Sequence, residues 1–467
     1  MSQMLRKCAG LVLILCLALA GAAAQTATTP ADPKIDAIAQ DVLQKTGVPS
    51  ASVAIVRDGK IAYIHAYGDA NLASKTPATP AMRYSIGSIS KQFTATGILL
   101  LQEQGKLSLD DKVAKFLPDL TRANEVSIRQ LLSHTSGYQD YWPQDYVMPE
   151  MLQPTTARHI LDKWAKIPLD FDPGTKWQYS NTNFVIAGLI IEKAAGMPMI
   201  QFLTQKIFSP LGMTSVLNID QEKLTASDPT GYMRYALGPL RPSPKEGKNW
   251  LFAAGELAMT AQDLAKWDIS TIEQRVLKPE SYRQMQSDVT LKNGVATGYG
   301  LGVSVGSRGG HRSISHGGEV SGFTSTNTIF PDDRAAVVVL TNQDAVGASG
   351  VIAQRIAETL FQAAQTGTSK ETETAKQILA GLQHGKIDRS LFTDNANFYF
   401  SDQTLQDFAS SLGPLGAAQD FTQSSENLRG GMFARNYRAK AGNKTLNIST
   451  FWMPDGKIEQ YIVTGRE

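Results

Sequence analysis

Apolar and polar residues follow two different periods along the chain, and the switches between them predict the fold. Ile35 to Lys45 spaces its apolar residues as a helix does and stops at Gly47, with Pro49 beyond. "ASVAIV" (51–56) and "KIAYIHAYG" (60–68) then alternate on either side of Asp58-Gly59, the favoured chemistry of a tight hairpin turn. A long buried helix is expected at about 88–104, and a mostly helical stretch follows from "LDDKVAKFLP" to about residue 270, broken by Pro and Gly loops. Within it Thr260 and Asp263 open a helix in the capping manner before "LAKW". Strands return at "YGLGVSVG" (299–306), "SGFTSTNTIF" (321–330) and "AAVVVLTN" (335–342). Strands from both ends of the segment with helices between them predict an α+β fold, an antiparallel sheet flanked by helices with an inserted, mostly helical subdomain.

Composition divides the chain further. Residues 1–24 place Arg6 and Lys7 before "LVLILCLALA" and the small triplet Ala22, Ala23, Ala24, which reads as a signal peptide. The expectation is therefore export, in a bacterium to the periplasm, with no stable membrane span after cleavage. Both cysteines, Cys8 and Cys16, fall in that segment, so disulfides and thiolate chemistry are not expected of the remainder. Residues 25–364 form the main domain. The polar run 365–375 reads as a linker, and 376–467 as a small C-terminal α+β domain somewhat like an NTF2-like fold, with strands "KTLNISTFW" and "KIEQYIV" across Asp455-Gly456. The cation-rich "RGGMFARNYRAK" within it reads as a solvated strand edge. At 42% apolar content and a net charge of +2, the chain has the balance of a globular protein, and nothing in it suggests binding to nucleic acid. Its histidines lack metal spacing, so no metal and no cofactor are expected.

Three short patterns carry candidate chemistry. "RYSIGSISKQFTA" (83–95) contains the chain's single S-x-x-K, Ser88 and Lys91, which helical geometry makes neighbours while Ser90 faces elsewhere. A lysine whose pKa is depressed by burial can take a serine hydroxyl's proton, and a serine near a helix start sets its own N–H where an oxyanion could be held. A chain of this length yields about one or two such matches by chance, so a solvated helix start explains this pattern equally well by itself. "QYSNTNF" holds the single Y-x-N, Tyr179 and Asn181: a tyrosine beside a lysine can lose its proton, and the asparagine can bond a substrate amide and the lysine. "SHGGEVSGF" places His316, Gly317, Gly318 and Glu319 before an expected strand from Ser321, where glycines let a substrate approach the backbone; alone, a glycine-rich hairpin is the better explanation. His134, in "LLSHTSG", reads as structural, bonding a loop backbone.

Taken in order, S-x-x-K, Y-x-N and H-x-G make residues 33–362 resemble the serine β-lactamase and penicillin-binding protein superfamily, nearest its class C-like esterases and D-aminopeptidases. "LLSHTSG", "GELAMTAQDLAKW" and "YGLG" look like that family's segments. The resemblance implies Ser88 as nucleophile, Lys91 and Tyr179 together as its base, Asn181 on the acyl side and His316 along the substrate edge. It also implies an oxyanion hole from the N–H groups of Ser88 and Glu319, beside Gly318. It implies a hydrolase of a small ester, D-residue amide or peptide acting through an acyl-enzyme on Ser88, which the signal-peptide reading of residues 1–24 makes an exported one. The alternatives are a true β-lactamase and a non-hydrolytic binding or sensor protein.

Two departures weigh against β-lactams: His316 stands where the family pattern often has a lysine, and Glu319 would disfavour anionic substrates if it points inward. Two other matches are set aside. Lys45-Thr46-Gly47 is a helix end, and the G-x-S-x-G at Gly302–Gly306 lacks the strand-to-helix turn that a nucleophile elbow needs. The loop 138–151, with Tyr138, Tyr141 and Trp142, could wall a pocket or simply pack.

Overall fold

The two central strands of the main sheet are apolar on both faces, and this decides the layering. In the computed structural model, which describes residues 29–144, 146–362, 370–429 and 431–466, Ser50–Arg57 pairs antiparallel with Ala335–Thr341, Val53 opposite Val339. Ala54, Val56, Ala336, Val338 and Leu340 point into one core; Val53, Ile55, Val337 and Val339 point into another. Strands this uniformly apolar need cover on both sides. Helices Pro33–Thr46 and Ala348–Gln362 cover one face. Ser90–Glu103, Asn181–Ala195 and Ala261–Ile272 belong to the core on the other.

The sheet runs in the order Thr76–Pro77, Lys60–Asn71, Ser50–Arg57, Ala335–Thr341, Phe323–Phe330, His311–Val320, Ser304–Arg308, antiparallel throughout. The expected α+β architecture is the one observed. Two expectations need correction. The strand placed at 299–306 is Ser304–Arg308, because Gly298 and Gly302 take φ of 71° and turn the chain instead of extending it. Tyr299, Leu301 and Val303 are buried in that turn. Conversely, His316 to Glu319 lie within the strand His311–Val320, not in a loop ahead of one; the paired glycines hid a strand that cross-strand bonds enforce.

The helix carrying Lys91 is tied to the sheet by a buried polar chain. Trp267 Nε1 donates to Gln92 Oε1 at 2.8 Å, Gln92 Nε2 to Asn327 Oδ1 at 2.9 Å, and Asn327 Nδ2 to Asp268 Oδ1 at 2.6 Å. Asp268 is fully buried and its Oδ2 has no hydrogen-bond partner among the described residues. Burial drives its pKa well above that of a free carboxylate despite the Asn327 bond, which favours the protonated form.

Residues 370–466 form an α+β unit of their own. Gln419–Arg429, Met432–Ala441, Lys444–Trp452 and Ile458–Arg466 pair antiparallel in chain order, and Lys370–Leu382, Asp394–Tyr399 and Asp402–Leu412 are its helices. Leu379, Phe400, Tyr437, Trp452 and Tyr461 are in its core. Residues 370–375, expected as linker, are helical: Thr372 and Ala375 are small but buried, and Ala375 O accepts from the Tyr461 hydroxyl at 2.7 Å. The absence of large apolar side chains does not mark a linker where small ones suffice to pack. "MFARNYRAK", expected at a solvated edge, lies in the second of four strands, with Arg435 stacked 5.1 Å from Phe433 and 5.4 Å from Trp452. The expected signal segment 1–24 lies outside the described residues, as do 365–369 of the linker. No single helix among the described residues is long and apolar enough to cross a membrane.

Asp268 makes stability depend on pH. Its folded pKa is raised, so above the ordinary carboxylate range the native state holds a proton that the unfolded state has released, and stability falls as pH rises. Asp268→Asn keeps the acceptor for Asn327 and removes this dependence. Thermal melts should show the variant gaining on the wild type as pH rises above the ordinary carboxylate range, by up to about 1.4 kcal/mol per pH unit; a difference independent of pH would refute the assignment.

Candidate active site

The serines of "RYSIGSISKQFTA" are separated by what precedes the helix. Ser85 lies in the short strand Tyr84–Ser85, paired with Ala258. A 3₁₀ turn, Gly87–Ile89, follows, and the α-helix begins only at Ser90, whose buried Oγ accepts from Leu257 N at 3.2 Å. Ser88 therefore stands in the turn, ahead of the helix expected to carry it, and is the one of the three that lines the cleft.

Lys91, one turn on, is fully buried. Its Nζ donates to Ser88 Oγ, Asn181 Oδ1 and Ala254 O, each at 2.8 Å, which uses all three ammonium protons. It also lies 5.0 Å from the centroid of the Tyr179 ring and 5.4 Å from that of Phe184. Burial lowers its pKa to about 7, with the Asp140 charge opposing. The three acceptors favour the ammonium and the lost hydration favours the amine, so the proton is balanced near neutrality.

Tyr179 is hydrogen-bonded to Ser88, and burial raises its pKa above that of a free tyrosine. Its position comes from His134. The His134 ring lies 4.3 Å from the Tyr179 ring, its Nδ1 accepts from Ser180 N at 3.1 Å, and its carbonyl accepts from Gln178 N at 3.0 Å. His134 thus clamps the backbone on both sides of Tyr179, and burial, then the Lys91 charge, keep it neutral.

Asn181 opens the helix Asn181–Ala195. Asp140 fixes its amide: Asn181 N and Nδ2 donate to Asp140 Oδ1 at 3.0 and 3.2 Å, which leaves Asn181 Oδ1 to face the lysine. Asp140 also accepts from Trp142 N at 3.2 Å; burial raises its pKa, while these bonds and Lys91 pull it back. Sequence reasoning missed Asp140, since a single aspartate between loop aromatics has no spacing signature. Of those aromatics Tyr138 and Tyr141 are buried, Tyr141 donating to Trp250 O, while Tyr141 and Trp142 line the cleft.

The strand His311–Val320 supplies the opposite wall. Gly87 is at φ 51°, and a Cβ there would come within 2.7 Å of Glu319 N; a Cβ on Gly318 would fall 1.9 Å from Ile86 O. Only glycine at both positions lets the backbone of Glu319 reach the turn holding Ser88. His316 Nδ1 donates to Gly317 O at 2.5 Å, so its Nε2 accepts from the Tyr299 hydroxyl at 2.8 Å. Burial and then Lys91 lower its pKa to about 4, so it is neutral. Tyr299 was the second residue missed, being read as strand. Glu319 is exposed, and its Oε1 accepts from Ala345 N at 2.8 Å. Ser88, Asp140, Tyr179, Asn181, His316 and Glu319 line one open cleft of about 1330 Å³. No group of three or more metal-ligating side chains occurs among the described residues.

A buried amine, a hydroxyl bonded to it, and a tyrosine on the same hydroxyl form an arrangement for nucleophilic attack by serine. The chain is similar to several known proteins. A family model described as "Beta-lactamase" matches residues 35–361. The chain is 27% identical to a D-aminopeptidase of Brucella anthropi over 412 residues, 85% of this chain and 78% of that protein. The D-amino acid amidase of Ochrobactrum anthropi SV3 superposes with a TM-score of 0.63 at 26% identity, over 71% of this chain and 99% of its own. At 22% identity, an octameric penicillin-binding protein homologue from Pyrococcus abyssi shares the fold over 93% of this chain and 95% of its own, TM-score 0.63.

Asp140 is the charge that favours the protonated lysine. In Asp140→Asn the Lys91 amine, followed by ¹³Cε NMR titration, should titrate below the wild-type value by on the order of one pH unit. An unchanged titration would mean that Asp140 does not act on Lys91.

Proposed function

The chain belongs to the β-lactamase family, and within it we propose a serine hydrolase that cleaves the amide or peptide bond of a D-amino acid through an acyl-enzyme on Ser88. The observation that carries this reading is Ser88 Oγ held between Lys91, whose pKa is about 7, and Tyr179, whose pKa is raised. At neutral pH a large fraction of Lys91 is the free amine, while Tyr179 retains its proton. The amine, not a phenolate, is then the resting base.

In this reading Ser88 Oγ attacks the substrate carbonyl carbon as its proton passes to Lys91 Nζ. The carbonyl electrons move onto oxygen, which the N–H groups of Ser88 and Glu319 stabilise. Collapse of this intermediate breaks the C–N bond. The departing nitrogen takes the Tyr179 proton, and the Lys91 ammonium gives up the proton it took from Ser88 to restore the tyrosine, which leaves the acyl-enzyme with Lys91 as amine and Tyr179 protonated. Water then attacks the ester carbon and gives one proton to the tyrosine–lysine pair; as the C–Oγ bond breaks the pair returns that proton to Ser88, and the second water proton leaves with the carboxylic acid product. Asn181 donates to the acyl side while its carbonyl holds the lysine. An ester would follow the same path with an alcohol leaving.

The choice of D-amino acid amides and peptides rests on the D-aminopeptidase and D-amino acid amidase relatives and on the charge of the cleft. Asp140 Oδ2 takes only a 3.3 Å bond from Asn181 Nδ2, which leaves acceptor capacity for a substrate's free α-ammonium. The reading of residues 1–24 as a signal peptide puts this work outside the cytoplasm.

Ser88→Ala should abolish covalent labelling by a fluorophosphonate and lower kcat for D-phenylalanine amide by about 10³-fold or more. Ser90→Ala should keep both within a few-fold, since Ser90 only caps Leu257 N. The wild type should hydrolyse D-phenylalanine amide faster than its L enantiomer. Equal rates on the two enantiomers would remove the D-residue assignment, and turnover surviving in Ser88→Ala would remove the nucleophile.

A further inference from the structure

The wall facing Asp140 differs from it in a way that bears on the rest of the substrate. On this wall His316 and Glu319 are the ionisable residues of the strand His311–Val320 that line the cleft. His316 is buried beside Lys91, which lowers its pKa to about 4 and leaves it uncharged, and both ring nitrogens are engaged, with Gly317 O and with the Tyr299 hydroxyl. Glu319 is exposed in the cleft, and its Oε1 is turned toward the 344–350 rim by the 2.8 Å bond from Ala345 N. Asp344 adds a second carboxylate on that rim, accepting from Gly322 N at 2.7 Å and Ser243 Oγ at 3.1 Å. Among the described residues lining the cleft Arg234 is the one lysine or arginine. Its guanidinium packs at Gly47, the end of helix Pro33–Thr46, where a Cβ would lie 3.0 Å from Nη2.

We propose that Glu319 is a selectivity residue that turns away substrates bearing a carboxylate beyond the scissile bond. The inference rests on the serine-hydrolase reading above and narrows it: amides, esters and peptides with an uncharged or cationic leaving group are accepted, and free C-terminal carboxylates and the acid group of penicillins are not. The residue acts twice through separable parts. Its backbone N–H sits at the turn holding Ser88, where every substrate's oxyanion would use it. Its side chain meets only what extends along the strand. One unit charge a few Å from another in a partly solvated cleft changes affinity on the order of tenfold.

The test compares two aryl acetates, 4-acetoxybenzamide and 4-acetoxybenzoate, which share an acetyl group and have leaving groups of similar size that differ chiefly in charge, the small difference in their phenol acidity being the same for wild type and variant. In the wild type kcat/KM for the carboxylate should be lower by about tenfold or more. In Glu319→Gln this ratio should fall to within about threefold. A disturbance of the oxyanion contact acts on both esters alike and cancels in the ratio. Independently of any variant, the wild-type ratio should shrink as salt rises from 20 to 500 mM, because a contact through solvent is screened over about 10 Å or less at 0.1 M and above. A ratio that does not respond to the substitution, or to salt, overturns the proposal. Hydrolysis of the aryl acetates without hydrolysis of D-amino acid amides would instead count against the D-residue reading and leave the Glu319 ratio readable.

Discussion

A lysine sealed from water is tolerable only where acceptors surround its ammonium, and that requirement governs how this molecule is assembled. Lys91 finds one acceptor a turn away in Ser88, a second ninety residues on in Asn181, and a third 163 residues on in the carbonyl of Ala254. None of the three can be withdrawn without leaving a buried charge short of a bond, which costs more than an ordinary hydrogen bond contributes. The elements that deliver them are therefore fixed with matching precision. The helix Asn181–Ala195 starts where Asp140 and His134 hold it, and the Lys91 helix is pinned to the sheet through Gln92, Asn327 and Asp268.

The same charge sets the protonation of its surroundings. Both buried histidines near it are held neutral, by burial first and by the lysine second. A neutral His134 can accept from Ser180 N, and a neutral His316 can accept from Tyr299; a protonated ring could do neither. Asp140 works in the opposite direction and keeps the amine from falling too far to hold a proton. The site thus contains one group poised near neutral pH, and the groups around it are locked in single states. That is the condition for moving one proton without rearranging several.

How much of this could be read from the sequence follows the distance over which each residue acts. Ser88 and Lys91 were legible because three-residue spacing is local, and the buried central strands because their apolar runs leave no polar face. Tyr179, Asn181 and His316 were named through a family resemblance and not through geometry, since nothing in "QYSNTNF" says that it meets residue 91. Asp140 and Tyr299 went unnoticed for the same reason: each acts on a neighbour remote in sequence, from a segment whose local pattern spoke of packing or of a strand. The strand through His316 and Glu319 was missed because glycine suppresses the local β signal where close approach demands it. Residues 370–375 were read as linker because small side chains carry little hydrophobic weight until a partner such as Tyr461 is placed over them.

Residue 319 shows why such a scaffold can change its substrates while keeping its chemistry. The close approach at Gly87 and Gly318 constrains the backbone of Glu319, and any residue except proline can supply that amide. The side chain does not take part in that close approach. It points away from the turn, is exposed, and meets the rim at Ala345. Asp140 is bound differently, because its carboxylate orients Asn181 and tunes Lys91, so a change there disturbs the base itself. In the proposed mechanism, charge on the Asp140 wall is therefore tied to the base, whereas charge on the opposite wall bears on the leaving group alone. It follows that selectivity in this cleft divides unequally: recognition near Asp140 cannot drift far without loss of rate, and adaptation to new leaving groups should be concentrated along the strand that carries residue 319.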